Sequence, residues 1–155
     1  MFHFLNLIQS SIYGIIATIF MSLIGFIGYL RWGLRGSLEL YESQRIYDRL
    51  FKKNYEYNLN ITGITIHFIN GWLLSFPFLL LIFFDILTKN LIIWGLLYGL
   101  IIWAFTLAPV HKYITRDPII GHPFGINPIL LSIMGHLVYG LFLTILIETG
   151  GAGNI

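Results

Sequence analysis

The chain has 155 residues, 57% of them hydrophobic and only 10% charged, with a formal net charge of +2. Soluble domains carry about 25% charged residues, so the composition excludes an ordinary water-soluble fold and points to one integral membrane domain, residues 1–155, with lipid as its first partner. No cysteine is present, which excludes disulfides, thiolate metal sites and cysteine nucleophiles, and the small, uneven charge bears on topology rather than on nucleic acid.

The first apolar run, residues 5–30, is longer than the roughly 20 residues that cross a hydrocarbon core. It is expected to span with some tilt rather than to be a cleaved signal, since no Lys or Arg precedes it and no small-residue cleavage site follows. Ser10, Gly14, Thr18 and Ser22 recur at four-residue steps and form a ridge suited to close approach by another helix. Tyr29 and Trp32 mark the interface, with Arg31 and Arg35 beside them.

Residues 31–58 are the one sizeable polar segment and hold six of the nine basic residues. A short interfacial helix is expected here, capped by Ser37 and supported by an Asp48–Lys52 pair at i,i+4. Leu40, Tyr47, Leu50 and Phe51 fall near one face and Glu39, Arg45, Arg49 and Lys52 largely elsewhere, so the helix would rest its apolar face on the membrane; the alternative is a solvated connector.

The second span, residues 61–84, carries Gly63, His67, Gly71 and Ser75 on one face, and Pro77 should free the Leu73 carbonyl and bend it. A tight turn at 85–90 returns the third span, 91–110, antiparallel beside the second, with Gly95 and Gly99 as a GxxxG step. Residues 111–128 contain three prolines and form an interfacial loop. The fourth span, 129–147, repeats the ridge of the second as Ser132, His136, Gly140 and Thr144. The expected fold is therefore an all-α four-transmembrane-helix bundle. Similarity of IYGIIA (12–17) to LYGLII (97–102), each ahead of a histidine-bearing ridge, suggests a duplicated helical hairpin.

The loops after spans one and three hold eight of the nine Lys and Arg residues, so the positive-inside rule makes loops 31–58 and 111–128 cytoplasmic and leaves both termini outside a plasma membrane. The glycosylation pattern at Asn60 would then face inward, and is read as chance.

His67 and His136 are the candidate functional residues, because an ionisable side chain inside a membrane is costly and calls for a role. Their spans run in the same direction and place the rings at similar depth, side by side across small neighbours. Three readings follow. Neutral imidazoles could lock the helices by hydrogen bonds to Asn70, Ser132 or Tyr139. They could be the axial ligands of a haem b, with Lys112 or Arg116 near the propionates, or face a quinone. Or they could join His111 and His122 in a metal or proton-relay site. No phosphate loop, HExxH, nucleophile elbow or paired carboxylates are present, so no catalytic residues are assigned, and a transport path has thin support.

The motifs G-x-x-x-H-x-x-x-G at Gly63, His67 and Gly71, the stretch Trp103 to Pro109, and H-x-x-Y-G at His136, Tyr139 and Gly140 together resemble a family of small four-helix membrane proteins of uncharacterised function in archaea and bacteria. The resemblance implies a companion of respiratory enzymes such as haem-copper terminal oxidases: a non-catalytic accessory subunit in a larger membrane complex. The ridges at Gly14, Thr18, Gly63, Gly71, Gly95, Gly99, Ser132 and Gly140 would supply its packing surfaces. The long charged first loop departs from that pattern.

Overall fold

The computed structural model describes residues 4–32, 38–51, 61–109 and 126–150. Five helices follow one another and no strand occurs among these residues: α1 (Phe4–Trp32), α2 (Leu38–Leu50), α3 (Ile61–Phe83), α4 (Leu91–Pro109) and α5 (Asn127–Thr149). The expected Ser37 cap, the Lys52 partner of Asp48, the Asn60 pattern, and His111, Lys112, Arg116 and His122 lie outside the described residues.

Three helices, α1, α3 and α5, are long and apolar enough to cross a membrane. The apolar run described in α4, Leu91–Thr106, is shorter. At 1.5 Å per residue α1 is about 43 Å long, well over the roughly 30 Å hydrocarbon thickness. Many large apolar side chains face outward, among them Phe26, Ile93 and Phe105. In water this would be a heavy penalty, and in lipid it is none.

Several hydroxyls inside the helices are satisfied locally. The hydroxyls of Thr18, Ser22 and Thr144 donate to the carbonyls of Gly14, Thr18 and Gly140, each four residues back. Pro128 lies in the first turn of α5, where a missing N–H is harmless. Between α3 and α4 the chain turns through Asp85 and Asn90, both in the left-handed region at φ 57 and 55, a conformation that Asp and Asn tolerate better than most residues.

Helix neighbours are set by small residues. The α1 and α5 helices form a central antiparallel pair, α3 lies against the outer side of α1, and α4 against that of α5. A Cβ on Gly14 would meet the Gly71 carbonyl and Ser75 Cβ at 2.7 Å. One on Gly95 would meet the Gly140 carbonyl at 2.5 Å and Thr144 Cγ2 at 2.6 Å. Gly71 abuts Thr18, and Gly99 abuts the His136 carbonyl. The two interfaces are thus built alike, from a glycine on one helix against a Gly and a hydroxyl residue four apart on the next.

Two expectations about neighbours need correction. The ridges of α3 and α5 do not pack on each other; each is filled by the preceding helix in sequence among the spans, α1 for α3 and α4 for α5. And α4, although joined to α3 by residues 84–90, has little backbone contact with it. Side chains bridge the gap. The Tyr98 hydroxyl donates to the Leu74 carbonyl, Tyr98 packs on Phe78 with ring centroids 5.1 Å apart, and the Tyr139 hydroxyl donates to the Gly71 carbonyl at 2.6 Å. Both bonds reach α3 in the two turns before Pro77, on carbonyls other than that of Leu73, which the proline deprives of its donor.

The short α2 exists as expected, and its polar face is the one that packs on the bundle. Ser43, Gln44 and Asp48 are buried, and α2 packs on the first turns of α3, with Gly63 close against Gln44 and the Leu40 carbonyl. Leu50 and Phe51 are exposed. Asp48 accepts from Gln44 Nε2 at 2.9 Å. At this end of the bundle α2 shares a cavity with polar groups, including both histidines. The polar face of α2 therefore turns toward them.

Candidate functional site

Where α1, α2, α3, α4 and α5 converge, the stand-off between α3 and the α4–α5 pair leaves a partly open, mainly apolar cavity of ≈ 370 Å³. His67 of α3 and His136 of α5 both line it, together with Glu39 of α2, Asn70, Ser132 and Tyr139. Each imidazole is 6% exposed, so neither points to lipid. The two residues line one cavity. The reason differs from the one given by the sequence pattern: they meet across a space, not across touching ridges.

The protonation pattern follows from the partners. His136 Nδ1 lies 2.8 Å from the Ser132 carbonyl, which can only accept, so Nδ1 carries the proton and Nε2 is bare in the neutral ring. Ser22 has one hydroxyl proton and gives it to the Thr18 carbonyl at 2.8 Å. Its oxygen also lies 3.1 Å from His67 Nε2; with the hydroxyl proton on the Thr18 carbonyl, that contact requires the His67 proton on Nε2 and leaves Nδ1 bare. Of the three expected partners, Ser132 serves His136 through its backbone, Asn70 lines the cavity, and Tyr139 donates to α3 instead.

Glu39 is the residue that sequence reasoning missed. Its Oε1 lies 3.7 Å from His136 Nδ1, its side chain is 14% exposed, and that oxygen has no hydrogen-bond partner among the described residues. Read along the chain alone, Glu39 belongs to the polar side of an amphipathic helix and would be solvated. Ser22 was visible as part of the α1 ridge, though not as a histidine partner. Among the described residues no three His, Asp or Glu side chains are arranged to hold a metal ion.

The remaining predicted ridge residues are packing contacts. Gly14 and Thr18 meet Gly71; Gly95 and Gly99 meet Gly140 and the backbone of His136; Gly63 receives α2; Ser132 is buried at the cavity wall. Comparison of the chain with protein-family models, with curated proteins and with solved structures finds no match.

Proposed function

We propose that the protein is a non-catalytic, membrane-embedded binder of a small amphipathic molecule, held in the cavity that His67, His136 and Glu39 line. The observation that carries this reading is the cavity itself: mainly apolar walls with a few polar groups gathered at one place, the usual makeup of a ligand site. Its volume lies near the low end of the roughly 300–1,000 Å³ range for such sites, which suits a single ring or a short chain better than a tetrapyrrole. The haem b version is therefore the weaker form of this reading, although both imidazoles are anchored through one nitrogen as ligand histidines are. Leu73 and Leu74 of α3 and Ile102 and Thr106 of α4 line the cavity where these two helices stand apart, so a ligand would enter sideways from the bilayer.

The accessory-subunit reading, with a respiratory complex as partner, comes from the resemblance, with the small-residue ridges as its packing surfaces. Gly14, Thr18, Gly63, Gly71, Gly95, Gly99 and Gly140 are all in contact within the chain, so these ridges do not favour that reading over the binder. A transporter or proton carrier would use the same cavity as its substrate site, and flux in proteoliposomes distinguishes it from a simple binder.

In this reading α4 crosses the membrane as a fourth span, the basic loops lie in the cytoplasm and both termini lie outside. The chain is a duplicated hairpin in which Gly14 corresponds to Gly95 by its contacts, one helical turn from the Gly99 that the IYGIIA and LYGLII match suggests. Native mass spectrometry of the protein released from lipid nanodiscs tests the binding claim. Wild type should retain a small molecule beyond bulk lipid, and Thr106→Trp, which fills the α4 wall, should lose it; identical spectra would count against a binding site.

A further inference from the structure

The polar lining of the cavity is strongly biased toward accepting hydrogen bonds. Thr18 gives its hydroxyl proton to the Gly14 carbonyl at 2.7 Å, Thr106 to the Ile102 carbonyl at 2.7 Å, and Tyr139 to the Gly71 carbonyl at 2.6 Å. A hydroxyl that has donated keeps lone pairs for anything else nearby. The same holds for the histidines. His136 is left with Nε2 bare, because Nδ1 is already committed to a carbonyl, and His67 with Nδ1 bare when Ser22 gives its proton to the Thr18 carbonyl. Glu39 adds a carboxylate oxygen with no donor upon it. Against these acceptors stand only the Asn70 amide and the hydroxyls of Ser43 and Ser132, and no Lys or Arg among the described residues lines the space.

From this we infer that the ligand is a lipophilic ammonium cation: an apolar body of one ring or a short alkyl chain, bearing a protonated primary or secondary amine that donates to Glu39 and to the bare imidazole nitrogens. The inference rests on the binding reading above and narrows it. An ammonium offers two or three donors and the positive charge that a buried carboxylate lacks, and charge-assisted hydrogen bonds are about twice as strong as neutral ones. A quinone, which only accepts, leaves these groups unpaired. A quinol donates but brings no charge. The apolar part of the ligand meets Met21, Ile46, Leu73 and Ile102.

The test uses the full chain in lipid nanodiscs and three probes of matched length: octylamine, octanol and octanoate, with binding read from thermal stabilisation at known membrane concentration. Octylamine should bind about tenfold more tightly than octanol, the effect of one charge-assisted bond, with octanoate weakest. Glu39→Gln should bring the amine and the alcohol to within about twofold. If that variant does not fold, Glu39→Asp, which keeps the charge but withdraws it, should weaken the amine and leave the alcohol unchanged. Equal binding of the three probes to wild type, or an amine preference that survives Glu39→Gln, overturns the cation assignment while leaving the binding site in place. If none of the probes binds, or if Thr106→Trp binds them as wild type does, the binding reading itself fails.

Discussion

The carboxylate of Glu39 reaches to 3.7 Å from Nδ1 of His136, yet that nitrogen already donates to the Ser132 carbonyl at 2.8 Å. The acid is therefore near a histidine without being satisfied by it. A short helix between the first two spans thus inserts its acid among the transmembrane helices, and the cavity takes its character from that insertion.

Glu39→Gln should stabilise the ligand-free protein. An unpartnered buried carboxylate carries a desolvation penalty that a neutral amide largely avoids, and about 1–3 kcal/mol is expected from groups of this kind. Reversible unfolding in bicelles measures it. The substitution would at the same time weaken amine binding, so stability and binding should move in opposite directions.

Glycine contacts should be sharply position-dependent. Gly140→Leu would drive a side chain into the Gly95 backbone, and Gly71→Leu would drive one into Thr18; each should destabilise by about 1–3 kcal/mol or more. Ala104→Leu, on an exposed part of α4, should stay within about 0.5 kcal/mol of wild type. The same unfolding measurement compares the three.

Tyr139→Phe and Tyr98→Phe each remove a hydroxyl that ties α3 to the rest of the bundle. Interhelical hydrogen bonds in membranes average about 0.6 kcal/mol and reach about 1.7. Each single change should fall in that range. Because both tyrosines bond to the stretch of α3 that precedes Pro77, the double variant should lose more than the sum, as a double-mutant cycle would register.

The absence of cysteine makes topology simple to read. A single cysteine at Asp85, in the turn between α3 and α4, should react with a membrane-impermeant maleimide on intact cells. One at Leu50, exposed at the end of α2, should react only after lysis. The reverse pattern would invert the orientation drawn from the basic loops.

Much of the architecture was legible because each span advertises itself by length and apolarity. The expected bounds of the second, 61–84, match Ile61–Phe83 to within a residue, and Pro128 and Asn90 mark the starts of α5 and α4. The histidines were legible for the same reason: an ionisable group in a lipid-length run stands out. Pairing was not legible. Every span carries a small-residue ridge, so Gly71 fits Thr18 as well as it fits a glycine on α5, and only three-dimensional packing selects one. The orientation of α2 was hidden too, since an amphipathic pattern shows that two faces differ and not which of them turns toward the bundle. Glu39 could be assigned to the site only once that face was fixed.

The account turns on two histidines held in opposite tautomers around one acceptor-lined cavity. Solid-state nitrogen NMR of the histidine-labelled protein in bilayers, with His67→Gln and His136→Gln variants for assignment, reads this directly. Neutral His67 should carry its proton on Nε2 and neutral His136 on Nδ1, and octylamine should shift the bare nitrogen of both rings. Finding the two rings in the same tautomer, or finding both unmoved by the amine while octanol and octanoate are equally silent, would contradict it.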